Sequence, residues 1–110
     1  KQGRIKIKEK KTEMKEKILE KLDMEYEIFF LEMIKTTKEN LFAKSGEIET
    51  KKSIVIFLND EIRNNKNIQG EKMLTSNGII DEFYRYVTDH KEISFDEAMK
   101  IYMKNYTEQI

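Results

Sequence analysis

Apolar residues recur at steps of three and four along most of the chain, the period of a helix that buries one face. From Thr12 onward, Met14, Ile18, Leu19, Leu22, Tyr26, Phe29, Phe30, Met33 and Ile34 form such a stripe and predict a first helix over about 12–35. Thr36-Thr37-Lys38-Glu39 has the form of a capping box with Thr36 as N-cap, so a new helix is expected to start there. Leu41, Ile48, Val55 and Ile62 then fall at seven-residue intervals, with Ile54, Phe57 and Leu58 widening the stripe. That spacing predicts one continuous or slightly kinked helix ending near Asn64. Ser45-Gly46 interrupts it, either as a break with Ser45 capping a second helix or as a notch for a closely approaching neighbour. Ile54–Leu58, taken alone, also fits a buried strand, which is the alternative for that segment.

The asparagine-rich stretch from Asn59 to Gln69, followed by Gly70, reads as a helix end and a loop. Glu71 to Leu74 makes a short helical turn. Asn77-Gly78 reads as the N-cap and first turn of a helix over about 78–89, with Asp81 and Glu82 suiting its positive end. Ser94-Phe95-Asp96-Glu97 is a second capping box, opening a last helix with Phe95, Met99, Tyr102 and Tyr106 on one side. The N-terminus differs: Arg4-Ile5-Lys6-Ile7-Lys8 alternates basic and apolar residues, the pattern of an extended segment. The expected fold is therefore all-α, a compact bundle of four main helices plus one short helix. Residues 12–110 form the single helical domain and residues 1–11 an extended basic arm or linker.

Composition narrows the chemistry. The 110 residues include no Cys, no Pro, no Trp and four Gly, so there is one domain at most, with few helix breakers. Without cysteine there is no disulfide framework, thiolate metal site or cysteine nucleophile, and a cytoplasmic location is expected. No apolar run approaches the roughly 18 residues of a membrane span.

Equal numbers of acidic and basic residues conceal an uneven distribution. Residues 1–17 carry eight basic side chains against Glu9, Glu13 and Glu16, a balance of +5, which leaves −5 for the rest. Arg4, Lys6, Lys8, Lys10 and Lys11 are thus candidates for contacting nucleic-acid phosphates, or else a solvated end. The start at Lys1 also fits a piece of a longer protein, with the arm as its linker.

No residue pattern points to catalysis. The single histidine, His90, lies between helices beside Asp89 and Lys91 and reads as a surface residue. Asp60/Glu61, Asp81/Glu82 and Asp96/Glu97 are helix neighbours that point in different directions, and helix-dipole complementarity accounts for the last two pairs. A calcium loop placed on Gly70 fails, because Ser76 stands where the bidentate Glu is required. Phosphate-cradling and hydrolase signatures are absent. No catalytic residue, cofactor or metal is expected, and the chain reads as a non-enzyme. Tyr84, Tyr86, Tyr102 and Tyr106, with Arg85 and Lys104, are the candidate partner-binding set, since interface cores favour tyrosine and arginine. The alternative is that these rings close the core.

From Leu22 through Tyr86, the segments LDMEYEIFFLEMI, GEIETKKSIVIFL and EKMLTSNGIIDEFYRYV resemble a family of small helical domains of unknown function carried by plasmids, phages and other mobile elements of Gram-positive bacteria. The shared marks are Tyr26 with Phe29, the apolar helix end, and Ile80 to Tyr84. That family often has proline where this chain has Thr37 and Gly78, and the last helix and basic arm lie outside it. The resemblance implies a non-enzymatic accessory role. The leading expectation is a protein-binding module, an adaptor or small inhibitor, for example of a bacterial defence effector, using its acidic surface and tyrosines. The alternatives are a nucleic-acid-binding accessory protein with a dimerising body, and a structural fragment.

Overall fold

Helix α1 runs from Gln2 to Ile34, 33 residues and about 50 Å of axis at the usual rise. A computed structural model describes the backbone over residues 2–107 and the side chains over residues 12–107. The extended segment expected at Arg4–Lys8 is helical instead. Five alternating residues gain little as a strand without a partner, whereas a helix satisfies its own backbone groups, and lysine and glutamate cost it little. The division expected between residues 11 and 12 thus falls inside α1. The side chains of Arg4, Lys6, Lys8, Lys10 and Lys11 lie outside the described residues.

Helix α2 (Lys38–Ala43) and helix α3 (Ser45–Asn64) occupy the region expected to be one helix. The break is at Lys44, with φ −98° and ψ 9°, while Lys44 N–H still reaches the Asn40 carbonyl and Ile48 N–H the Lys44 carbonyl, each at 3.0 Å. Serine and glycine, poor helix formers, follow directly, so bending there forfeits little. Ser45 is the first residue of α3 and makes no side-chain cap. The capping box is displaced by one residue: Thr37 is the N-cap, its hydroxyl accepting from Asn40 N–H at 3.3 Å. Thr36 instead donates its hydroxyl to the Met33 carbonyl at 2.7 Å and closes the end of α1.

Helix α4 (Gly70–Leu74), helix α5 (Ile79–Asp89) and helix α6 (Phe95–Met103) follow, with a 3-10 turn over Lys104–Tyr106 in place of the last turn expected of α6. Ser94 caps α6 as expected, accepting from Glu97 N–H at 3.2 Å. The N-cap of α5 is Gly78 rather than Asn77, and a side chain from another helix supplies its polar partner: Glu25 accepts from Ile80 N–H at 3.0 Å. The 3-10 turn is tied back to α4, since Gln69 N–H donates to the Tyr106 carbonyl at 2.7 Å and Lys72 to the Asn105 carbonyl at 2.8 Å. Among the described residues the architecture is all-α, with four main helices as expected and two short ones, α2 arising from the break at Lys44.

The core gathers Ile18 and Leu22 of α1, Ile54, Leu58 and Ile62 of α3, Met73 of α4, Ile79, Ile80 and Phe83 of α5, Met99 and Met103 of α6, and Tyr106. Ile54–Leu58 is helical, and only Ile54 and Leu58 of that run are fully buried. The inward line of α3 reads 51, 54, 58 and 62, so the seven-residue series drifts off the core: Leu41 is exposed and Ile48 half-buried. Within α3 a straight helix gains about 20° on each heptad, which turns Ile48 off the core, and Leu41 lies on α2 beyond the break at Lys44.

Candidate protein-binding surfaces

The tyrosines of the predicted partner-binding set divide into two groups. Tyr86, Tyr102 and Tyr106 form a ladder with Phe83: the Tyr102 ring stands edge-on to Phe83 at 4.8 Å, and Tyr106 lies nearly parallel to Phe83 at 6.0 Å. Tyr86 sits 5.1 Å from Tyr102 and stacks on His90 at 4.0 Å. Tyr106 is buried, and its hydroxyl donates to the Glu82 carboxylate. Burial, followed by that hydrogen bond, pushes its pKa well above the ordinary tyrosine value; burial and the charge of Glu82 also raise Tyr102. Tyr84 belongs elsewhere, beneath the Lys51 ammonium, 5.1 Å from its ring centre. Arg85 and Lys104 are exposed, while Tyr84, Tyr86 and Tyr102 are each half-buried. Three of the four rings therefore pack on one another and on Phe83.

Lys51 is the one buried charged residue among the described residues. Its ammonium lies 3.4 Å from Glu47 and 3.2 Å from Asp81, and 4.1 Å over the Phe29 ring. The four-carbon stem fills apolar space on α3, and the head finds carboxylates and ring faces at the rim.

His90 is a helix cap. Its Nδ1 lies 2.9 Å from the Tyr86 carbonyl, so Nδ1 carries the hydrogen and closes the last turn of α5. No carboxylate pair gathers with it, and among the described residues no three potential metal-ligating side chains come together. A cleft of about 190 Å³ between α3 and α6 is lined by Phe57, Glu61, Asn65, Lys100, Met103 and Lys104. That is below the roughly 300 Å³ at which pockets begin to enclose a small molecule. No helix among the described residues is long and apolar enough to cross a membrane.

The largest unassigned feature is on α1. Met24, Ile28 and Leu31, at steps of four and three, are 62%, 54% and 44% exposed, and Ile34 at their edge is 58% exposed. At 100° per residue Met24 and Leu31 lie roughly 160° to 180° around the helix from Leu22 and Met33, which face the core, and Ile28 lies roughly 120° to 140° from them. The C-terminal half of α1 thus carries two apolar stripes, and the body covers one of them. Glu20 and Glu27 border the outer stripe on one side and Glu32 on the other. Phe42 on α2, beyond the turn, is 84% exposed. The sequence signal was present in the 24, 28, 31 spacing, a second helical period on the same element; a single merged stripe hides it.

No family model matches the chain, and neither a curated protein nor a solved structure matches it. Function is therefore read from these surfaces.

Proposed function

We propose that the chain is a non-enzymatic helical protein-binding module that docks through the outer face of α1. The observation that carries this reading is the second apolar stripe, Met24, Ile28, Leu31 and Ile34, left in water on a helix whose opposite face already fills the core. Met24, Ile28 and Leu31 in one line, with Ile34 beyond its edge and carboxylates along both sides, have the composition of a helix-docking surface, with apolar anchors at the centre and charges at the edge. The tyrosine ladder supports the fold behind it, and of the residues expected to bind a partner, Arg85 and Lys104 keep exposed heads. An adaptor or small inhibitor is the form this reading takes, and the sequence resemblance implies a non-enzymatic accessory role in mobile-element biology.

The test is a photo-crosslinking amino acid placed at Ile28 and, separately, at exposed Lys91, irradiated in the organism that encodes the chain, with adducts identified by mass spectrometry. A protein adduct at position 28 and none at position 91 is expected. No adduct at position 28, or equal labelling at both, would sink the reading.

A further inference from the structure

The charge along α1 changes sign at its middle. Residues 2–17 carry seven basic side chains against three acidic ones, a balance of +4, whereas residues 18–34 carry five acidic side chains against Lys21, a balance of −4. The outer apolar stripe lies in the acidic half. At 100° per residue, positions 6, 10, 13 and 17, three lysines and Glu13, continue the line of Met24, Ile28 and Leu31 toward the N-terminus. One face of one helix therefore presents a basic stretch followed by an apolar stretch with an acidic border.

This face is complementary to itself when two copies run in opposite directions. We propose that the occupant of the outer α1 face is the α1 helix of a second copy of this chain, paired antiparallel about a two-fold axis near Lys17 and Ile18. The inference rests on the protein-binding reading and names its partner. In that pairing the basic half of each helix lies along the acidic half of the other. On that register positions 6 and 10 of each helix fall opposite positions 29 and 25 of the other, beside Ile28 and Met24, and position 17 falls at the axis, within one turn of Glu20 of the other copy. A parallel pair places like charges together along the whole length and is disfavoured. The two bodies pack against the inward faces of the two helices, so they sit on opposite outer sides of the pair. A two-fold contact of this kind uses the same surface on both chains and closes without further growth.

The experiment is sedimentation equilibrium of the full chain at low and high salt, with two charge-reversed variants. One carries Lys6→Glu, Lys10→Glu and Lys17→Glu; the other carries Glu20→Lys, Glu27→Lys and Glu32→Lys. The wild-type chain is expected to reach twice its monomer mass and to dissociate more as salt rises. Each variant alone is expected to be monomeric, and a mixture of the two is expected to restore a dimer containing one of each. Because the chain has no cysteine, Lys17→Cys and Ile34→Cys each accept a single spin label. The antiparallel pair brings the labels close at position 17 and holds them about 50 Å apart at position 34. A wild-type chain that stays monomeric at about 0.1 mM, a weak-interface concentration, would overturn the proposal, as would short distances at both label positions or dimerisation of both variants alone. The crosslinker at Ile28 separates the two ideas. An adduct with a different protein, from a chain that is itself monomeric, rejects self-pairing and leaves the protein-binding reading standing.

Discussion

Lys21 and Glu25, one turn apart on α1, close the two helix ends that face each other across the α4–α5 connection. The Lys21 ammonium donates to the carbonyls of Met73 and Leu74, each at 2.9 Å, and to that of Ser76, using all three of its hydrogens on the C-terminal end of α4 and the residues after it. Glu25 accepts from the Ile80 N–H in the first turn of α5 at 3.0 Å. Each charge opposes the partial charge of the helix end it meets. Lys21→Met, which keeps the stem, is expected to lower stability by about 1.5 to 3 kcal/mol in chemical denaturation, the range for hydrogen bonds to a charged group. Glu25→Gln keeps an acceptor, and Oε2 is buried without a hydrogen-bond partner among the described residues, so its cost should stay within about 1 kcal/mol. Equal losses for the two variants would refute this division of roles.

Gly46 and Gly70 should respond oppositely to alanine. A Cβ at Gly46 meets nothing within 4 Å, which removes the notch reading of Ser45-Gly46, and a helical Gly→Ala change should add up to about 1 kcal/mol. A Cβ at Gly70 would overlap Cγ of Met14 and approach Ile18 Cδ1 at 3.5 Å. Gly70→Ala is expected to destabilise the wild-type chain, and to cost less when Met14→Ala has made room. A double-mutant cycle by thermal unfolding measures this, and additivity of the two changes would rule out the contact.

The packing of Lys51 predicts that its stem matters more than its charge. Asp81, one of its two carboxylate partners, is mostly exposed, so it loses little when the ammonium goes. Lys51→Met should fall within about 1 kcal/mol of wild type, whereas Lys51→Ala should cost about 2 kcal/mol or more by leaving a void beside Phe29 and Tyr84. Similar unfolding midpoints for the two variants would contradict that ordering.

Tyr106 ties stability to alkaline pH. Its folded pKa is raised above the ordinary value of 10.0, so the unfolded chain loses the hydroxyl proton first. Its contribution is fully present below about pH 10 and is lost as pH climbs from there through the folded pKa, at up to about 1.4 kcal/mol per pH unit. Tyr106→Phe should flatten the alkaline fall between about pH 10 and 11 and lower stability near neutrality by about 1 kcal/mol. An unchanged alkaline slope in urea titrations at several pH values would exclude Tyr106 as its source.

Local chemistry in the sequence determined the helical class, the four main helices, the cap at Ser94 and the end of α3 at Asn64, because periods, caps and breakers act over a few residues. The same reasoning missed by one residue at Thr36 and Thr37, where two adjacent hydroxyls compete for one cap and only backbone geometry assigns them. Only the tertiary structure decided which sides of the helices face inward. Two apolar stripes on α1 have the same period, and the positions of α3, α4 and α5 determine that Leu22 is buried while Ile28 meets water. It also assigned Tyr106 to the core and Tyr84 to Lys51, and gave α5 a polar partner in Glu25, far away in the chain. A sequence carries the period of a helix in its own spacing, but the direction in which that helix is buried belongs to its neighbours.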